Sequence, residues 1–123
     1  MSKIIVVDDD QIFCGLLKTV LEFEDYEVII EGNPDNVVAM VGQEQPILVL
    51  MDVHSDQGDT IGVLRELCAG AATKAVPVVM ASGMDRSDEC IRAGASGFLL
   101  KPFRPDELIN MVADVIAKEN TGA

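Results

Sequence analysis

Four apolar runs in the chain each end on a polar residue able to take part in phosphate chemistry. Residues 4–7 lead into Asp8, Asp9 and Asp10, residues 47–51 into Asp52, residues 78–81 into Ser82, and residues 98–100 into Lys101 and Pro102. If these runs are parallel strands of one sheet, all four polar ends gather at its carboxyl edge, where open α/β sheets bind their ligands. Asp8, Asp9 and Asp52 would then crowd three carboxylates together, and their mutual repulsion needs a compensating charge. A hard divalent cation meets that need, and Mg²⁺ takes oxygen ligands while keeping waters for a phosphoryl group. Lys101 adds a further positive charge. Asp52 is the candidate nucleophile, since a carboxylate can attack phosphorus to give an acyl phosphate. Transfer requires neutralised equatorial oxygens and an in-line attack. Ser82 could donate a hydrogen bond to one phosphoryl oxygen, and Lys101 could pair with another. Asp10, directly before a helical pattern, reads as the helix N-cap.

The elements that must position these groups alternate along the chain. Strands are expected at 3–7, 27–31, 47–51, 76–81 and 97–100, the second of them nearer an edge. Helices are expected at 12–23, from Pro34 to about Gln43, at 61–68, at 86–93 and from Pro105 to Lys118. In the first helix Ile12, Leu16, Val20 and Phe23 share one face, and in the third Ile61, Leu64 and Cys68 do. Asn33 and Pro34 fit an N-cap and first helical position, and Gly94 fits a helix end. Repeated βα units imply a doubly wound α/β fold, a parallel sheet with helices on both faces.

Composition sets outer bounds. The 123 residues suit one domain, expected over 1–119 with a polar tail at 120–123. Hydrophobic residues make up 49% of the chain and aromatic residues 4%, so the core must be aliphatic, as buried parallel strands require. A net charge of −12 argues against direct nucleic-acid binding and against anionic membranes. Cys14, Cys68 and Cys90 match no metal-ligand spacing and read as buried free thiols, which suits a cytoplasmic location. No run approaches the length of a membrane span, and neither GxGxxG nor the Walker phosphate-loop pattern is present.

Four motifs together carry a family resemblance that covers residues 3–118. They are Val6-Val7-Asp8-Asp9, Val49-Leu50-Met51-Asp52, Val79-Met80-Ala81-Ser82-Gly83, and the run from Ala93-Gly94-Ala95 through Phe98-Leu99-Leu100-Lys101-Pro102-Phe103. On these the chain resembles the response-regulator receiver domains of bacterial two-component signalling. The resemblance implies a five-stranded sheet in the order 2-1-3-4-5, a flavodoxin-like, CheY-like three-layer sandwich. It implies Asp52 as phosphoacceptor, loaded by a sensor histidine kinase or a histidine phosphotransfer protein. It implies Mg²⁺ held by Asp9, Asp52 and the backbone carbonyl of His54, with Asp8 assisting through water, and phosphoryl oxygens held by Ser82 and Lys101. Phe98 matches the aromatic switch position that moves with Ser82; an ordinary core aromatic is the other reading of it. Such a switch signals to a downstream protein or output domain through the 86–118 face, or through a phosphorylation-dependent homodimer. It is not an enzyme beyond its self-catalysed phosphotransfer and autodephosphorylation.

The run after Asp52 departs from the family. Asp56 stands at the usual proline position and Thr60 at the usual glycine position. His54, the only histidine, reads either as a gate on attacking water or as a loop residue lending only its carbonyl. Met84, two residues past Ser82, is the other candidate for setting the hydrolysis rate. Two rival readings remain at this level. One is a phosphorylation-independent interaction domain of the same fold. The other is a haloacid-dehalogenase-like phosphatase, suggested by the D-x-D pattern at Asp8-Asp9-Asp10, in which Asp8 would be the nucleophile.

Overall fold

Backbone hydrogen bonding of the apolar runs sets the architecture, and the computed structural model describes residues 2–56 and 58–121. In chain order the elements are β1 (Lys3–Val7), α1 (Gln11–Phe23), β2 (Glu27–Glu31), a 3₁₀ turn (Pro34–Asn36), α2 (Val37–Glu44), β3 (Leu48–Asp52), β4 (His54–Ser55), β5 (Gly58–Asp59), α3 (Ile61–Ala69), β6 (Val78–Ser82), α4 (Ser87–Arg92), β7 (Gly97–Leu100) and α5 (Pro105–Thr121). Five of the strands form one parallel sheet in the order β2-β1-β3-β6-β7. This is the expected 2-1-3-4-5 order when the short β4–β5 hairpin is set aside. The hairpin forms a separate two-stranded antiparallel sheet that the alternation of apolar runs does not reveal.

Strand alternation divides the core into two layers. Ile4, Val6, Leu48, Leu50, Val79, Ala81 and Leu99 face Cys14, Leu17 and Leu21 of α1 and Leu108, Val112 and Val115 of α5. Ile5, Val7, Val49, Met51, Val78 and Met80 face Val37 and Val41 of α2, Ile61, Leu64 and Leu67 of α3, and Cys90 of α4. Val28 on the edge strand β2 joins the first layer. Among the described residues no helix is long and apolar enough to cross a membrane.

Helix ends follow the local chemistry. The Asp10 carboxylate accepts the Phe13 N–H at 3.0 Å and caps α1 as expected. Asn33 accepts the Asp35 N–H at 2.9 Å, although the turn it caps is 3₁₀ before α2 begins at Val37. The inner face of α1 differs from the sequence expectation. Cys14, Leu17 and Leu21 point inward, while Ile12 is 81% exposed, Leu16 62% and Phe23 83%. Two apolar stripes run along this helix, and periodicity alone cannot choose between them; packing against the sheet does. In α3, Leu67 rather than Cys68 completes the buried stripe, and Cys68 is half-buried. The last helix runs on to Thr121, past the expected end at Lys118, so the start of the expected 120–123 tail is helical; Gly122 and Ala123 lie outside the described residues.

Two glycines give opposite expectations. Gly94 follows α4 with φ of +113°, and a Cβ there would lie 2.5 Å from Cys68 Sγ. Gly94→Ala therefore lowers stability by about 2 kcal/mol or more. Gly62 is an exposed position in α3 with nothing within 4 Å of a built Cβ. Gly62→Ala raises stability by about 0.5–1 kcal/mol. Urea melts of the two variants beside the wild type read both signs.

Candidate functional site

Strand parity decides which of the strand-end groups meet. Asp52 continues the alternation of Leu48 and Leu50, Asp8 that of Ile4 and Val6, and Lys101 follows Leu99 at the end of β7, so all three fall toward the layer of α1 and α5. Asp8, Asp9 and Asp52 each offer a carboxylate oxygen within 4.8 Å of the others. Lys101 Nζ lies 3.0 Å from Asp8 Oδ2 and 3.5 Å from Asp52 Oδ1. The Asp8 side chain is only 4% exposed, and its other oxygen accepts the Asp10 N–H at 2.9 Å. The Lys101 ammonium also sits 4.3 Å from the centre of the Phe13 ring, which packs edge-on against Phe103. That placement adds a cation–π attraction to the two ion pairs.

Burial pushes the Asp52 carboxyl above the usual carboxylate range. Lys101 pulls it back, Asp8 pushes it further up, and the backbone N–H of His54 favours the ionised form. Burial, followed by the neighbouring Asp8 charge, pushes the Cys14 thiol up to about 11. The protonated thiol donates to the Asp8 carbonyl oxygen at 3.3 Å, tying α1 to the end of β1.

The other expected site residues are placed less directly. Ser82 is fully buried, and its hydroxyl oxygen accepts the Met84 N–H at 3.1 Å. The Ser82 carbonyl accepts the Lys101 N–H at 2.8 Å, which fixes the lysine's backbone beside β6. The Lys101–Pro102 peptide bond is cis. Phe98 pairs with Met80 in the sheet and packs, partly buried, in the α2/α3/α4 layer, on the opposite side from Lys101. The His54 side chain is exposed and Met84 is 61% exposed, while their backbone N–H groups bond Asp52 and Ser82 respectively.

The loop after Asp52 is ordered by contacts that sequence reasoning missed. Thr60 is 2% exposed, and its hydroxyl donates to the Asp52 carbonyl oxygen at 2.7 Å. Its N–H donates to the Val53 carbonyl at 2.8 Å, closing the base of the β4–β5 hairpin. Asp59 accepts the Ile61 N–H at 3.1 Å and pairs with Arg86 at 3.3 Å, and Arg86 in turn pairs with Glu89. The one sequence signal for this was a β-branched hydroxyl residue at a position where the resembling family has glycine. Phe13 had no such signal, because its place over Lys101 depends on the rotation of α1.

The donor set suits a hard cation: three carboxylates, oxygen ligands only, with one lysine already offsetting part of their charge. Residues 4–113 match the family model described as the response regulator receiver domain. Protein PilH of Pseudomonas aeruginosa is 30% identical over 120 residues, covering 95% of this chain and 99% of PilH. The DNA-binding response regulator MtrA of Mycobacterium leprae is 31% identical over 114 residues, covering 90% of this chain but only 49% of MtrA. Among solved structures, a response regulator from Chloroflexus aurantiacus superposes with a TM-score of 0.88 at 27% identity, covering 94% of this chain and 98% of the other.

Proposed function

The chain belongs to the response regulator receiver domain family, and on that premise we propose that it is a phosphorylation switch in which Asp52 accepts a phosphoryl group. The donor is a phosphohistidine of a sensor histidine kinase or a histidine phosphotransfer protein. An Asp52 carboxylate oxygen forms a bond to phosphorus as the phosphorus–nitrogen bond of the donor breaks, and the electron pair leaves with the imidazole. Bound Mg²⁺, held by Asp9, Asp52 and the His54 carbonyl with Asp8 behind, would supply charge neutralisation at the phosphoryl oxygens. Lys101, already beside Asp52, pairs with one of those oxygens. Ser82 reaches another once its hydroxyl gives up the Met84 N–H. The observation that carries this reading is the convergence of Asp8, Asp9 and Asp52 within 4.8 Å, with Lys101 against two of them.

The state of Asp52 is passed on through the face of α4, β7 and α5, where Ile91 and Leu100 are each 50% exposed. Movement of Ser82 and of the Phe98 ring shifts that face between two populations. The recipient is an output domain or partner protein, or a second copy of the chain joined on phosphorylation. The setting is the bacterial cytoplasm, and the chain catalyses only its own phosphorylation and dephosphorylation.

The test is incubation with acetyl phosphate or a phosphoramidate and Mg²⁺, followed by intact-mass spectrometry and, to locate the site, borohydride reduction of the aspartyl phosphate to homoserine with peptide mapping. The wild type gains one phosphoryl group at Asp52, and Asp52→Asn gains none. Modification at Asp8 instead would support the phosphatase reading, and no modification at all would support the phosphorylation-independent one. A related expectation concerns the rim. Met84→Ala and His54→Ala each shorten the half-life of phospho-Asp52 several-fold, by opening the path of attacking water. Unchanged half-lives in both would remove these two side chains from the account of the hydrolysis rate.

A further inference from the structure

The carboxylate of Asp9 is the exposed member of the acidic cluster, and among the described residues a backbone N–H of the loop after Asp52 holds it. The Asp56 N–H donates to Asp9 Oδ2 at 3.0 Å. Asp56 sits at the tip of the β4–β5 hairpin, in which His54 pairs with Asp59 and Ser55 with Gly58. The hairpin is secured at several points. The Ser55 hydroxyl donates to the Gly58 carbonyl at 2.9 Å, and Gly58 takes φ of +114°, a conformation other residues rarely adopt. Thr60 ties the base to the Asp52 and Val53 carbonyls, and Asp59 is joined to Arg86.

We propose that this hairpin is a clamp for the divalent-cation site, with the Asp56 N–H as the positioning group that holds Asp9 in its ligating rotamer. The proposal rests on the reading of Asp8, Asp9 and Asp52 as a Mg²⁺ site. An ionised carboxylate has about four lone-pair positions, so accepting one N–H leaves Asp9 free to bind a cation. Without the bond, an exposed aspartate loses rotamer freedom when it binds, and preorganisation removes that cost. Asp56 acts through its backbone, not its carboxylate. A proline at this position, which has no N–H, could not do it.

The experiment compares Asp56→Ala, which keeps the N–H, with Asp56→Pro, which removes it; both lose the carboxylate. Mg²⁺ is titrated calorimetrically into the unphosphorylated protein at physiological salt, with no phosphodonor. The expected result is a Kd within about twofold of wild type for Asp56→Ala and about three- to tenfold weaker for Asp56→Pro. Equal affinities in the two variants would overturn the clamp while leaving the cation reading intact. Absence of Mg²⁺ binding to the wild type would overturn the cation reading and the clamp with it. If Asp56→Pro does not fold, amide hydrogen exchange of cation-free protein decides. The Asp56 amide exchanges several-fold faster in Asp9→Ala than in wild type if the bond exists, and equal rates overturn it.

Discussion

Lys101→Ala lowers stability by roughly 2–3 kcal/mol at neutral pH, shifting the thermal midpoint by on the order of 10 °C. The lysine is the cation shared by Asp8 at 3.0 Å and Asp52 at 3.5 Å, and the Asp8 side chain is almost wholly buried. Removing one partner of a fully buried pair costs about 3–5 kcal/mol. Lys101 keeps 23% of its side chain in water, which moderates that figure. The loss of the Phe13 contact adds a smaller penalty. The variant also removes the main influence that draws the Asp52 carboxyl down, so its titration moves to still higher pH. Carbon-detected NMR of the aspartate carboxyls reads that direction. Phosphorylation of Asp52 falls by about a hundredfold or more, the usual cost of losing one preorganised charge at a developing oxyanion. A stability change below about 0.5 kcal/mol would mean that water screens the lysine from both carboxylates, contrary to the burial of Asp8.

Asp52→Asn works in the opposite direction on stability while abolishing phosphorylation. In the folded protein Asp52 titrates above the usual carboxylate range, chiefly through burial. The fold therefore favours the neutral carboxyl. That favourable contribution is complete below the ordinary carboxylate pKa and is lost as pH rises through the folded value. At neutral pH the wild type carries an ionised group that the fold disfavours, and asparagine replaces it with a neutral one of the same shape. The variant should be more stable than wild type at pH 7, read as a higher thermal midpoint. The difference should shrink toward zero as pH falls below the ordinary carboxylate range. Melting curves of both proteins from acid to neutral pH check it. A difference that stays constant with pH would assign the effect to something other than the Asp52 charge. Saturating Mg²⁺ should narrow the gap at pH 7, because a bound cation compensates the same charge. The two variants separate the roles within one cluster: the lysine stabilises the fold, and the Asp52 charge costs it stability.

Much of this molecule is legible along the chain, for reasons that particular residues show. β1 and β2 fall on the expected residues because unbroken Ile and Val runs have few other conformations open to them. β7 and the cap of α1 by Asp10 follow in the same way from local chemistry. The gathering of Asp8, Asp52 and Lys101 at one edge was foreseeable because parallel strands deliver their carboxyl ends to the same edge of a sheet. The inner face of α1 was not, since Ile12-Leu16-Val20-Phe23 and Cys14-Leu17-Leu21 are both apolar at helical spacing. The β4–β5 hairpin was not legible either. Its two-residue strands lie below the length at which any pattern can be read, and its bonds run to Asp9 and Arg86, each 27 or more residues away in sequence.

By itself the sequence determined the alternation of strands and helices, the gathering of acids, hydroxyl and lysine at one edge, and the motifs of the receiver-domain family. These depend on residue type and local spacing, which act over a few residues at a time. Only the tertiary structure decided which strand-end groups share a side of the sheet and which stripe of α1 faces outward. It also put Ser82 in contact with its own loop instead of Asp52, and folded the run after Asp52 into a hairpin reaching Asp9 and Arg86. Those outcomes turn on the rotation of a helix, the parity of a strand and the partners a loop finds across the fold. All three are set by packing among distant segments, and no short window of sequence contains them.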